Sequence, residues 1–259
     1  EIDVNMDTTV NNLPAVTRFN ELPEAVQRTL TVIAKGVRNI PGIVFQRYYN
    51  QFIKYVGNVG QDLVESIFSF TSYQPIPVTE ITQASNSSFE QEGFVNLGWR
   101  GWEGDMPTSI INNCLSNSSL FEETIAYYNE AINTAAKRIL PLTCYYHMEP
   151  RPDKFRGTAL TGVQPYMGNE IPGLTGCIIF IDFVKRGVSP ARGVLAYTKV
   201  RTECKQNDYS VIETNYNFGS QSAYYVSLGT NLTQSKLYLG VYGSANVTEL
   251  NQGTVFELY

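Results

Sequence analysis

Through the first 70 residues, apolar positions recur at three- and four-residue spacing, the period of an amphipathic helix. Leu22, Val26, Leu30, Ile33 and Val37 form one such stripe, with Pro23 and Glu24 suited to a first helical turn and Pro41-Gly42 as the break. Phe45, Tyr49, Phe52 and Val56 form a second, with Gly57 and Gly60 around its end, and Leu63, Ile67 and Phe70 a third. The spacing predicts three short helices packed antiparallel.

From Thr71 to Ser118 the pattern loosens into a stretch rich in Pro, Gly, Ser and Asn, with two short strands expected at 77–82 and 93–98. A capping box, Ser119-Leu120-Phe121-Glu122, then opens a helix whose stripe is Phe121, Ile125, Tyr128, Ile132, Ala135 and Ile139, and Pro141 ends it. After Leu142 the character changes. Runs rich in β-branched and aromatic residues at 176–184, 193–202, 208–218, 222–229, 235–242 and 253–258 are separated by Gly, Asn, Ser and Asp, and predict five or six antiparallel strands. Helices first and strands second give an α+β fold, expected as one compact domain over residues 1–259, with a helical half to about 140 and a β-rich half after it.

Charge narrows the function classes. Charged residues are 17% of the chain and the formal net charge is -5, with no basic run to drive counterion release, so nucleic acid is not an expected partner. No apolar stretch approaches the length of a helical membrane span. The chain opens at Glu1, has an even number of cysteines, and carries Asn-x-Ser/Thr acceptors at Asn86, Asn117, Asn231 and Asn246. Together these predict a secreted, extracellular glycoprotein with its signal peptide removed. Cys114, Cys144, Cys177 and Cys204 lack the spacing of a zinc or redox site, so two disulfides of open connectivity are expected and no metal.

Candidate chemistry is sparse. His147 is the single histidine and has no nucleophile-elbow or Cys-Gly motif beside it, and no phosphate-binding glycine loop is present, so no catalytic residue and no cofactor are assigned. Glu90, Glu92, Glu103 and Asp105 cluster around Trp99 and Trp102, a composition that can hold a sugar between indole faces and carboxylates, or simply anchor a loop.

Lys154-Phe155-Arg156-Gly157-Thr158 resembles the Arg-Gly-Thr strand of extracellular arginine-type mono-ADP-ribosyltransferases, a family with a helical first half, a β-rich second half and two disulfides. The resemblance implies that Arg156 contacts a nicotinamide dinucleotide. The family's Phe-x-Ser-x-Ser motif is replaced here by Phe180-Ile181-Asp182-Phe183-Val184, and its Glu-x-Glu motif has only Val247-Thr248-Glu249 and the Asp208-Tyr209-Ser210 region as counterparts, neither with both acids.

Aromatic residues make up 12% of the chain, with 17 Tyr and 13 Phe. This load in a weakly charged protein predicts a non-catalytic binding role, first for a small hydrophobic molecule such as a lipid or pigment, held between the helices and the strand layer. Tyr49, Phe52, Trp99, Trp102, Tyr128 and Tyr225 are the expected ligand-binding residues. Surface recognition of an extracellular protein or glycan is the alternative, a homo-oligomer is compatible with either, and a transferase-like enzyme is the second alternative.

Overall fold

The computed structural model describes residues 31–48, 51–71, 76–77, 95–108, 138–147, 154–200, 206–244, 249 and 251–259. Among them every regular element is a β-strand. The stretch whose spacing predicted helices holds β1 (Thr31–Val32), β2 (Ala34–Lys35), β3 (Gly42–Tyr48), β4 (Gln51–Asn58) and β5 (Val64–Thr71). Four two-residue strands follow, β6 (Ile76–Pro77), β7 (Val95–Asn96), β8 (Trp102–Glu103) and β9 (Met106–Pro107). Then come β10 (Thr143–Tyr146) and β11 (Leu160–Tyr166). The predicted strand runs contain β12 (Cys177–Asp182), β13 (Val194–Lys199), β14 (Tyr209–Ile212), β15 (Tyr224–Thr230), β16 (Leu237–Tyr242) and β17 (Gly253–Leu258).

The expected α+β fold is therefore corrected: the described protein is all-β, with mostly antiparallel sheets. The helices expected around Ile33–Val37, Phe45–Val56 and Leu63–Phe70 are strands, while Leu22–Leu30 and the capping-box segment from Ser119 to Ala135 lie outside the described residues. Since no helix is present among the described residues, none is long and apolar enough to cross a membrane.

Three sheets carry the architecture, in the orders β10-β5-β4-β3, β11-β12-β13-β14 and β15-β16-β17. They stack with the second in the middle. In β12 all six residues are buried, because alternate side chains serve different cores. Ile178 and Phe180 meet Tyr55, Ile67, Leu142 and Tyr145 of the first sheet. Cys177, Ile179 and Ile181 meet Leu228, Leu237, Leu239 and Val241 of the third. Each such side chain contributes roughly 1.5–3 kcal/mol on burial, and a one-residue slip would exchange the two sets, so the register is firmly set.

The first sheet is also covered twice. Tyr55 and Ile67 point to the central sheet, whereas Val56, Phe68 and Phe70 pack with Leu97, Val95 and Ile139 on the other side. The parallel pair β2–β7 supplies part of that outer cover. At Gly162, where β11 shifts register against β12, a Cβ would stand 2.8 Å from Leu228 Cβ and 3.0 Å from Leu228 N. A glycine there lets β15 lie close against β11, and Thr161 Oγ1 and Gln164 Nε2 donate to the Tyr225 and Leu228 carbonyls across the seam.

Candidate functional site

Among the described residues, His147, Glu65, Asp182 and Glu103 are acid/base groups buried in the interior. Nε2 of His147 lies 2.7 Å from Glu65 Oε1, and Glu65 Oε2 accepts the Leu160 amide at 3.0 Å. Burial alone pulls the imidazole pKa down, but the hydrogen bond and charge of Glu65 outweigh it and hold the value above the ordinary one. Asp182, fully buried at the end of β12, accepts the amides of Thr158, Ala159 and Val184 and the Tyr145 hydroxyl at 2.9 to 3.1 Å. Burial pushes its carboxyl up to about 7, against the pull of those donors. These buried side chains tie the first sheet to the central one.

The acid and tryptophan cluster is likewise structural where it is described. Glu103 is buried, and its carboxylate accepts the amides of Asp62, Leu63 and Val64 at 2.8 to 3.2 Å, which caps the turn into β5. Arg138 stacks on Trp102 with Cζ 4.0 Å from the ring centroid. Asp105 Oδ2 takes the Tyr146 hydroxyl at 3.3 Å. Glu90 and Glu92 lie outside the described residues. Arg156, the residue of the transferase resemblance, is exposed in a segment that is not a strand, and its neighbour Thr158 is bound to buried Asp182.

One described cleft has the character of a ligand site. It lies between the central and third sheets, with a volume of about 460 Å³. Leu195 and Ile212 form one wall, and Leu239, Phe256 and Leu258 the other. Tyr225 lies at its base, only 4% exposed. Burial pushes that phenol pKa up, against a hydrogen bond with Thr214 and the charge of Arg192. Tyr216 and Phe218 lie in the irregular segment after β14, and their rings cluster with that of Phe256 at centroid distances of 4.7, 5.0 and 5.9 Å. Arg192 holds this segment in place, donating from Nη2 to the Gly219 carbonyl at 2.6 Å and from Nη1 to that of Gln221.

Of the expected ligand-binding residues, Tyr225 alone lines this cleft. Phe52 is 52% exposed on β4 of the first sheet, Trp99 and Trp102 lie in the outer cover around β7 and β8, and Tyr49 and Tyr128 fall outside the described residues. The expected position between helices and a strand layer is also corrected, since the cleft lies between two sheets and the space between the first and central sheets is filled by side chains. Sequence reading missed Tyr216, Phe218 and Phe256, although the Tyr-x-Phe spacing on a strand-like segment was a usable signal.

Of the four acceptor asparagines only Asn231 is described. Its Oδ1 accepts the amides of Ser235 and Lys236 at 2.9 and 3.1 Å, and its Nδ2 donates to Ser235 Oγ at 3.0 Å, so the side chain closes the turn between β15 and β16. Cys177 is a buried free thiol with Sγ 3.7 Å from the Gly173 carbonyl, and Cys144 Sγ lies 3.6 Å from Ser66 Oγ. Cys114 and Cys204 lie outside the described residues. Among the described residues no group of histidine, cysteine and carboxylate side chains could hold a metal ion. No protein-family model matches this chain, and no curated protein matches it.

Proposed function

We propose that this protein is a non-catalytic carrier that binds a small apolar molecule in the cleft between its central and third sheets. The observation that carries the reading is the cleft itself: about 460 Å³ walled mainly by aliphatic and aromatic side chains, within the range of about 300–1,000 Å³ usual for small-molecule sites. Tyr225 offers one oriented hydroxyl at its base. Catalysis is disfavoured by placement, because His147, Glu65 and Asp182 are bonded to one another or to the backbone between the first and central sheets, away from the cleft. Secretion and glycosylation accompany this reading as proposals on the sequence features alone.

Organic extraction of native-source protein, followed by mass spectrometry, tests the carrier role. It should release about one equivalent of an apolar small molecule, consistent with a single site.

The outer face of the third sheet supports the second reading, surface recognition. Tyr224 and Tyr242 stand opposite each other in register, and Val226 is exposed beside them. Such rings offer contact area at low entropic cost. An empty extract together with a protein or glycan retained by this face would favour it.

A further inference from the structure

Three backbone segments meet at one end of the central sheet. The Arg186 amide donates to the Arg156 carbonyl at 2.9 Å, Arg186 Nε to the Gly157 carbonyl at 2.9 Å, and the Lys185 amide to the Arg192 carbonyl at 2.7 Å. These bonds gather Lys154, Arg156, Lys185, Arg186 and Arg192 in a protein whose formal net charge is -5. Among the described residues, the one carboxylate within ion-pair distance of any of them is Asp208, 3.6 Å from Lys154. Lys154 is further occupied by the carbonyl and ring of Tyr209. Among the described residues, no carboxylate lies within ion-pair distance of Lys185 or Arg192.

A second cavity, of about 360 Å³, lies at this basic end. Lys154, Lys185 and Arg192 line it beside Phe155, Val188 and Val194, and Glu213 is the single acid among its described lining residues. It shares Leu195, Ile212, Tyr225 and the segment around Tyr216 and Phe218 with the apolar cleft, so the two spaces adjoin along those residues. Arg192 is fixed by backbone carbonyls, with its guanidinium carbon 5.6 Å from the Phe218 ring centroid. Carbonyl dipoles orient a guanidinium but do not neutralise it, and its remaining N–H groups can take an anionic oxygen. Low-dielectric walls make such a charge count for more than a fully solvated one.

We infer that the ligand of the apolar cleft ends in an anionic group, which the second cavity takes against Lys185 and Arg192. The ligand class is then an amphipathic organic anion, with its apolar body between the sheets and its charged end at the basic rim. This rests on the carrier reading above. The basic side chains set the polarity: Lys185 and Arg192 line the second cavity and not the apolar cleft, whereas Glu213 lines both spaces and Glu257 of the apolar cleft is already paired with Lys236 at 2.5 Å.

The test compares decanoate with decanol, equal in chain length and different in charge, by displacement of the neutral dye Nile red. Decanoate should bind about tenfold more tightly at low salt, and the advantage should shrink in about 0.5 M salt. Lys185→Glu should abolish the decanoate-to-decanol ratio and Lys185→Gln should reduce it, whereas Lys199→Glu, the same charge change at an exposed position on β13, should keep it. Equal affinity for the two ligands would overturn the anion inference and leave the carrier reading standing. A preference for decanoate that survives Lys185→Glu would place the anion elsewhere and overturn the assignment. Failure of both ligands to displace the dye would defeat the carrier reading and this inference with it.

Discussion

Glu65 and His147 join the first sheet to the segment entering the central one, with Nε2 of the imidazole 2.7 Å from one carboxylate oxygen while the other accepts the Leu160 amide. The contact is buried, and it lies beside a second buried carboxyl, Asp182, bonded to Tyr145. Removing one member of such a group leaves its partner desolvated and unpaired, which costs about 3–5 kcal/mol for a charged pair. His147→Ala should therefore lower the unfolding midpoint strongly in denaturant titrations. An unchanged midpoint would show the pair to be dispensable.

Stability should fall as pH rises across the neutral region. Asp182 keeps its proton up to about 7 in the folded protein, against 3.8 as the ordinary value, so the folded state binds more protons between those limits and loses stability as pH rises through that window. His147, held above its ordinary 6.5, acts in the same direction: its contribution is full below 6.5 and is lost as pH rises through the raised value. The combined effect is on the order of a few kcal/mol. Unfolding free energies measured from pH 4 to 8 should show the decline, and Asp182→Asn should flatten its lower part.

Gly193 is where the fold makes room for the cleft. A Cβ there would stand 2.2 Å from Cγ of Tyr225, inside the ring that forms the base of the site. Gly193→Ala should displace that ring, destabilise the protein by about 1–3 kcal/mol and weaken dye binding in the cleft. Gly173 has nothing within 4 Å of its Cβ position and a φ of +79°. Gly173→Ala should show a backbone penalty without the binding defect, and comparing the two variants separates strain from cleft geometry.

Cys177 should behave as a buried thiol. Burial pushes its pKa up, which keeps the reactive thiolate scarce. Peptide mapping after alkylation without reductant should find it unmodified in the native protein and modified after denaturation. A disulfide-linked Cys177 peptide would contradict this structure at β12.

What was legible in the sequence depended on β-branched and aromatic runs bounded by turn residues, which marked β12, buried on both faces, as well as the terminal strands. The terminal strands β15 to β17 leave part of their surface to solvent, and their alternation and turn residues marked them. The edge strand β3 leaves Ile43 and Phe45 exposed, whereas in β4 and β5 aromatic and β-branched residues follow one another closely because that part of the first sheet is covered on both sides, as Tyr55 and Val56 facing different cores illustrate. Alternation disappears in such a strand, and chance spacing at Phe45, Phe52 and Val56 then imitates a helix. The Gly-bracketed, β-branched content of Gly42–Asn58 was the better guide. Of the residues lining the cleft, Tyr225 alone was among those expected from composition, while the 213–218 segment and β17 meet there only through the stacking of two sheets. No local spacing encodes that meeting.

The carrier claim is tested most directly by titrating the native protein with Nile red and comparing it with a Leu258→Trp variant. Leu258 lines the cleft from the edge strand β17, at the margin of the core between the central and third sheets, where a larger side chain fills the site. The wild type should show saturable binding of about one dye per chain and a melting temperature that rises with dye concentration, and the variant should lose both. Absence of saturable binding, or equal binding by wild type and Leu258→Trp, would contradict the carrier claim.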